Sequence, residues 1–164
     1  MELSSANGGN YYQLDKLLAA KKWQEADEET AKMLLKVANR EKAGKLRLED
    51  IDNFPCEDLR IIDQLWLKYS NGRFGFSVQK QIYQSLGGTR DYNKEIWEAF
   101  ADIVGWRVNG KWHWLYSLNL NFNLQSPDGH LPSCRCGSSF WYLFWVGGVV
   151  GFGDLCSRVD TCKL

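Results

Sequence analysis

The sequence predicts a single, mainly α-helical domain that begins with an αα-hairpin and carries an extended, Trp-rich flap loop. Three observations indicate this fold class. Apolar residues recur at helical spacing through most of residues 11–105, Gly and Asn separate the helical segments, and the period changes to alternation after Gly105. The chain has 164 residues, which suits one domain that buries its core without metal ions or disulfides.

Two amphipathic segments near the N-terminus predict the αα-hairpin. Their apolar stripes follow the spacing of one helix face and are separated by a short joint. The stripes consist of Tyr11, Leu14, Leu17 and Leu18, followed by Trp23, Ala26, Thr30, Met33, Leu34 and Val37. Glu25, Asp27 and Glu28 lie near the start of the second helix, where the helix dipole favours acidic side chains. The small, polar residues 1–10 before the hairpin are expected to form a flexible N-terminus.

Four further helices are predicted before the flap. The apolar spacing places them around residues 48–54, over 56–70, from about Ser77 to residue 86, and over 96–103. Residues 71–72, 87–88 and 105 are Asn or Gly, which commonly follow the last turn of a helix. The predicted helices therefore have defined ends.

The flap begins with the segment "GWRVNGKWHW", residues 105–114. Trp106, Val108, Trp112 and Trp114 alternate around the pair Asn109-Gly110, which is the strongest short signal for a β-hairpin. The segment "LNLNFNL" over residues 118–124 also alternates, and the Pro and Gly residues of 126–132 predict irregular chain.

Composition limits the classes of function. The 20 basic and 20 acidic residues cancel, so no net charge attracts nucleic acid or anionic membranes. The eight Trp residues suit a core, an interface or a planar ligand.

Five Cys residues without a signal peptide predict reduced thiols in the cytosol. The pair Cys134-x-Cys136 near His130 matches no common zinc pattern, so no metal site is expected.

Residues 133–164 are predicted to be an aromatic, Gly-rich and Cys-rich C-terminal tail. Its uncharged segment 138–153 is shorter than the ~20 residues that a membrane-spanning helix needs. Packing of this segment on the domain is therefore the preferred interpretation. A surface or partner contact and a membrane span are the alternatives.

The sequence contains no recognisable catalytic constellation, so we expect a binding protein and not an enzyme. "GGVVGFGD" at 147–154 lacks the strand and helix of a dinucleotide site, and His113 and His130 lie near no nucleophile signature. His113 between two Trp residues is either a haem ligand or a surface histidine.

Arg73 and Arg107 adjoin aromatic–Gly segments, where a guanidinium could pair with ligand carboxylates. Four aromatic residues are either core or the floor of a site for a flat ligand, namely Phe74, Phe76, Trp106 and Trp112.

Several motifs together resemble one protein family. "WQEADEET" at 23–30, "FPCEDLRIIDQLWLKYSNGRFGFSVQ" at 54–79, "GW" at 105–106 and "SPDGHLP" at 126–132 occur in the order found in the GUN4-like (genomes-uncoupled-4) family. That family comprises tetrapyrrole-binding regulators of magnesium chelatase. The resemblance covers residues 11–132 and implies a cupped-hand helical domain that holds protoporphyrin IX or Mg-protoporphyrin IX. Haem sensing through His113 or a cysteine of the tail is a separate hypothesis.

The resemblance also implies which residues bind the tetrapyrrole. The palm would comprise Phe74, Phe76, Val78, Gln79 and Ile82. The mobile flap would contribute Trp106, Arg107, Trp112 and Trp114, and the rim His130, Leu131 and Pro132. Arg73 completes the set as a candidate cation from its position beside the palm.

The implied output is regulation of chlorophyll biosynthesis through the large subunit of magnesium chelatase. Three departures qualify it. Ala31 stands where chelatase-activating members commonly have Arg, and only Arg135 could replace a cation after "GHLP". The third is an expectation, namely that this protein has no counterpart of the extra N-terminal helical domain of some relatives. The alternative is a stand-alone signalling module without chelatase activation, which either senses haem or porphyrin or binds a protein partner. For a protein partner, the αα-hairpin could offer a groove to a helix. We expect a cyanobacterial cytoplasm, with peripheral membrane association as an alternative, in preference to the plastid stroma.

Overall fold

The structure, a computed structural model, describes residues 1–113, 120–133 and 152–164 and contains seven helices and one β-hairpin within them. The helices are α1 Tyr12–Ala19, α2 Trp23–Val37, α3 Leu48–Asp52, α4 Cys56–Ser70, α5 Phe76–Ser85, α6 Lys94–Val104 and α7 Phe152–Thr161. The strands are β1 Arg107–Val108 and β2 Lys111–Trp112. The prediction of a mainly helical domain with an N-terminal αα-hairpin is confirmed.

The αα-hairpin packs its apolar faces against α4. The Trp23 ring stacks on Trp66 with centroids 6.2 Å apart, and the Trp66 indole N–H donates to the Thr30 hydroxyl at 3.0 Å. Leu14 and Leu18 of α1 are fully buried in the same core. The apolar faces that could have offered a groove to a partner helix are therefore filled by this chain's own α4.

Residues 1–10, predicted to be flexible, contact the N-terminal half of α4. The buried carboxylate of Asp58 accepts hydrogen bonds from the Ser5 hydroxyl at 2.5 Å, from the Tyr11 hydroxyl at 2.6 Å and from the Asn7 amide at 3.1 Å. A buried carboxylate requires such donors because burial without them is costly. Asp58 thus anchors the N-terminal segment to the domain.

The β-hairpin forms where the Asn-Gly pair predicted it. Arg107 faces Trp112 and Val108 faces Lys111 across an antiparallel pair. Asn109 and Gly110 have φ of 51° and 74°, which is the left-handed conformation that a two-residue hairpin turn requires. The pair Asn109-Gly110 therefore identified the turn.

The alternation over residues 118–124 does not lead to a strand in its described part, residues 120–124. Asn and Ser side chains fold this part into turns instead. The Asn123 side-chain oxygen accepts from the Gln125 N–H at 2.9 Å, and the Ser126 hydroxyl donates to the Asn121 backbone carbonyl at 2.7 Å. Such local bonds from Asn and Ser side chains compete with strand pairing.

The C-terminal residues 152–164 contain α7, which packs against α3 and α5. A disulfide joins Cys56 to Cys162, and Cys156 is a free, buried thiol. The expectation that all cysteines are reduced is therefore wrong for Cys56 and Cys162, because the fold brings these two distant residues together.

Several residues singled out in the sequence lie outside the described residues, namely Cys134, Arg135, Cys136 and most of segment 138–153. Within the described residues, no helix combines the length and the apolar composition needed to cross a membrane.

Candidate functional site

Residues 121–133, here called the return segment, are held in place by several of the residues predicted to form the site. The buried Gln79 amide donates to the carbonyls of Gly129 at 2.9 Å and Pro132 at 2.8 Å. The Trp106 indole N–H donates to the His130 carbonyl at 2.8 Å. The structure thus brings Gln79, Trp106 and the "GHLP" residues together, as contacts within the protein.

Arg73 also supports the return segment. Its Nε forms an ion pair with Asp128 at 2.7 Å, and its two terminal nitrogens donate to the carbonyls of Ser126, at 2.8 Å, and Leu124. A planar guanidinium has five donors in a fixed fork, and here most of them are already used. Three of the five donors of Arg73 therefore support the return segment from within the protein.

Asp27 fixes the end of the return segment, a role that sequence reasoning missed. Its carboxylate is buried on α2 and accepts the Ser133 backbone N–H at 2.6 Å and the Ser133 hydroxyl. The sequence interpretation placed Asp27 with Glu25 and Glu28 as a dipole-favoured acidic residue. Helical spacing was the sequence signal that could have revealed this role. Asp27 lies three residues before Thr30, on the apolar face of α2 that contains Trp23.

His130 occupies a buried position between α6 and the return segment. Its Nδ1 lies 2.6 Å from the Val104 carbonyl, which can only accept, so Nδ1 carries the hydrogen. Nε2 is buried and has no hydrogen-bond partner among the described residues. Burial lowers the pKa of His130 below its usual range, while the Val104 carbonyl acts in the opposite direction.

We expect His130 to make stability fall as the solution becomes acidic. Because its folded-state pKa is lowered, the unfolded chain binds more protons as pH drops through the ordinary histidine pKa, and the free energy of unfolding decreases. The measurement is urea unfolding at pH 7 and pH 5. His130→Asn, which can still donate to Val104 but does not titrate, should show a smaller decrease over this interval. An equal decrease in both proteins would contradict the assignment.

Two predicted palm aromatics lie in the core. Phe74 is fully buried and meets the Trp23 ring edge-on at 5.8 Å, and Phe76 is 2% exposed at the start of α5. Leu131 is also fully buried, and Pro132 is buried beside it. The tetrapyrrole-binding role of these four residues stays a prediction, and their packing role is established by the contacts.

Gly75 allows a close approach between α5 and α4. Its φ is 144°, and a Cβ atom there would lie 2.7 Å from the Asp63 carboxylate. That carboxylate accepts the Ser77 N–H at 2.8 Å, so it satisfies a free donor at the start of α5. The space above Gly75 is thus occupied by the Asp63 carboxylate.

Six aromatic side chains, here called the aromatic cluster, pack around α6 and the β-hairpin. They are Tyr83, Trp97, Phe100, Trp106, Trp112 and Phe152. Trp97 contacts most of the others: it stacks on Trp112 at 5.9 Å and on Phe100 at 5.8 Å, and it meets Trp106 at 6.1 Å. The sequence placed Trp97 only on the apolar stripe of its helix. Its central position could not be predicted because it depends on α7 and the β-hairpin meeting there.

Part of this region retains accessible surface and forms the candidate ligand face. Trp97 and Trp112 of the aromatic cluster are only partly buried. Ile82 and Phe122, which pack on the cluster, are also partly buried. Val78 lies one helical turn before Ile82 on α5 and is also partly exposed. Parallel indole rings and aliphatic side chains of this kind suit one face of a flat apolar ligand. Trp114 lies outside the described residues, and His113 is half-buried next to β2.

Arg107 is the cation nearest to this face. Its guanidinium lies 5.9 Å from the Trp112 ring and pairs with Asp102 at 3.1 Å and Glu98 at 3.7 Å. Its Nε is buried and lacks a hydrogen-bond partner among the described residues. Arg107 is therefore positioned beside Trp112, and its Nε is enclosed by the protein.

Sequence comparisons identify similar proteins. The sequence model of the GUN4-like family matches residues 4–145. A ycf53 protein of Porphyra purpurea is 36% identical over 135 residues, which are 81% of this chain and 53% of that protein. The "tetrapyrrole-binding protein, chloroplastic" of Arabidopsis thaliana is 32% identical over 123 residues, which are 73% of this chain and 46% of that protein. The chain thus spans about half the length of these relatives.

Solved structures show the same architecture. GUN4 from Chlamydomonas reinhardtii matches with a TM-score of 0.70 and 25% identity, over 98% of this chain and 94% of that one. The ligand-free GUN4 of Arabidopsis thaliana matches with a TM-score of 0.65 and 25% identity, over 91% and 92% of the two chains.

Proposed function

Because this chain belongs to the GUN4-like family, we propose that it is a non-catalytic tetrapyrrole-binding protein whose ligand is protoporphyrin IX or Mg-protoporphyrin IX. The observation that carries the proposal is the partly exposed face of stacked indoles beside Arg107. The name of the Arabidopsis relative supports the same ligand class. Haem is a further candidate because it has the same flat macrocycle.

The chemistry of a porphyrin fits this face. A macrocycle placed against the face would exchange water for contact with Trp112, Ile82 and Phe122, and burying about 250 Å² of apolar surface would yield about 6 kcal/mol. A porphyrin carboxylate could accept a hydrogen bond from Arg107, whose charge is already shared with Asp102 and Glu98. The cost of ordering the ligand and the side chains opposes these gains, so the net affinity is smaller than their sum.

The direct test is a pigment titration. Protoporphyrin IX and Mg-protoporphyrin IX are added separately to the purified chain while tryptophan emission and the Soret band are recorded. We expect quenching and a Soret shift that saturate together, because Trp97 and Trp112 lie in the proposed face. If neither signal changes at tens of micromolar pigment, the proposal is wrong.

Trp112→Ala should weaken pigment binding more than Arg73→Ala. Removing a stacked indole is expected to raise the dissociation constant about tenfold, which corresponds to about 1.4 kcal/mol. Arg73 mainly holds the return segment, so Arg73→Ala should lower the unfolding temperature and change the pigment affinity by less than about threefold. The measurements are the pigment titration and thermal unfolding of both variants. A larger affinity loss in Arg73→Ala would place the ligand at Arg73.

The proposed output is regulation of chlorophyll biosynthesis through the large subunit of magnesium chelatase. Family membership supports this output, whereas the departures at Ala31 and after Pro132 count against it. Ala31 is fully buried on α2, so this position provides no cation to a ligand or partner. A reconstituted chelatase assay with and without the chain would test the output separately. Pigment binding without stimulation would favour a sensing module.

A further inference from the structure

The helix α7 connects the two hydrophobic clusters of the domain. Its first residue, Phe152, belongs to the aromatic cluster, whereas Leu155 and Val159 lie in the core cluster of the αα-hairpin and α4. Polar contacts also hold it: Arg158 donates twice to the Phe54 carbonyl at 2.9 and 2.8 Å, and Asp154 pairs with Arg90 at 2.6 Å. The position of α7 therefore affects both clusters.

The disulfide attaches the C-terminal end of α7 to the domain. Cys56 is the first residue of α4, and Cys162 directly follows α7, 106 residues later in the chain. Cys162 is buried and Cys56 is partly exposed, so Cys56 is the more accessible residue of the pair for an external thiolate. The third described cysteine, Cys156, is enclosed, and burial raises the pKa of its thiol, so it is a poor nucleophile.

The opposite end of α7 supports the candidate ligand face. The Phe152 ring lies 4.7 Å from Phe100, 5.4 Å from Trp97 and 6.0 Å from Trp106. Trp97 in turn stacks on Trp112. A shift of α7 would remove the ring that lies behind Trp97, and the stacked pair of the face would lose part of its support.

We propose that the Cys56–Cys162 bond is a site of thiol–disulfide exchange with a dithiol reductant, and that its reduction loosens α7 and weakens tetrapyrrole binding. The regulation of binding rests on the proposed function. One thiolate of the dithiol attacks the Cys56 sulfur, the bond to Cys162 breaks, and Cys162 leaves as a thiolate that takes up a proton. The second thiol resolves the mixed disulfide and releases Cys56. Two electrons pass to the protein, and the dithiol becomes a disulfide.

The experiment compares the oxidised chain with the same chain reduced by dithiothreitol, with thiol counts confirming each state. Hydrogen exchange of residues 152–164 reports on α7, and titration with Mg-protoporphyrin IX reports on the face. We expect faster exchange in α7 after reduction and a dissociation constant about 5- to 10-fold higher, within the usual range of coupling between sites. Cys162→Ser without reductant should behave like the reduced chain.

Two controls separate this bond from the other cysteines. Dithiothreitol should not change Cys162→Ser further, because its disulfide is already absent. Cys156→Ala retains the disulfide and should respond to reductant as the natural sequence does. A further change in Cys162→Ser on reduction would assign the effect to other cysteines and overturn the proposal.

The remaining outcomes are also decisive. Unchanged exchange in α7 after verified reduction would overturn the proposal, and faster exchange with unchanged affinity would overturn the coupling to the ligand face. If neither redox form bound pigment, the proposed function would be wrong, whereas hydrogen exchange would still test whether the disulfide holds α7.

Discussion

Replacing Trp97 with alanine is expected to raise the dissociation constant for protoporphyrin IX about 30-fold, which corresponds to about 2 kcal/mol. Trp97 contributes its own surface to the candidate ligand face and also positions Trp112, with which it stacks at 5.9 Å. Its loss would also remove the contact with Phe152 at 5.4 Å. The substitution therefore affects both the contact surface and its support. The measurement is the tryptophan-quenching and Soret titration.

Two variants provide the controls for this prediction. Trp97→Phe keeps an aromatic ring at the centre of the cluster and should retain more affinity than Trp97→Ala. Tyr12→Ala removes an aromatic side chain that is 58% exposed on α1, away from the cluster, and should bind as the natural sequence does. Equal affinity in Trp97→Ala and Tyr12→Ala would show that the ligand binds elsewhere.

Asp27→Ala is expected to lower the free energy of unfolding by about 3 kcal/mol, because removing a buried charged acceptor leaves its donors unpaired. The unpaired groups would be the Ser133 N–H, now 2.6 Å from the carboxylate, and the Ser133 hydroxyl. The end of the return segment would then be less firmly attached to α2. Urea unfolding measures the loss, and the pigment titration shows whether it reaches the face.

The matched control for Asp27 is Glu25 on the same helix. Its side chain is 55% exposed and pairs only with Lys22 among the described residues, so Glu25→Ala should cost less than about 0.5 kcal/mol. Asp27→Asn keeps one carbonyl oxygen for the Ser133 N–H and should fall between the two. If Asp27→Ala were as stable as Glu25→Ala, the link to Ser133 would not contribute to folding.

Most of the fold could be predicted because its signals are local. The stripe from Trp23 to Leu34 identified the buried face of α2, and α4 and α6 end at Asn71 and Gly105 in the left-handed conformation. The turn of the β-hairpin followed from Asn109-Gly110 alone. The alternation at 120–124 misled because the side chains of Asn123 and Ser126 bond to the nearby backbone and form turns.

The candidate site could be predicted only in outline. The motifs identified Gln79, Trp106 and His130, and the structure brings them together around the return segment. Sequence alone did not separate the buried aromatics Phe74 and Phe76 from the accessible Trp112. All three are aromatic residues near a glycine, and only packing decides which ring faces the interior.

The sequence by itself determined helices α1 to α6, their ends and the turn of the β-hairpin, because each depends on residues that are close together in the chain. It did not predict α7, which lies in the part interpreted as a tail. Only the tertiary structure decided the roles of Asp27, Trp97 and Cys56. Asp27 and Cys56 each meet a partner 106 residues away, and Trp97 lies between α7 and the β-hairpin. No local period encodes such contacts, because they arise when distant segments pack around a common core.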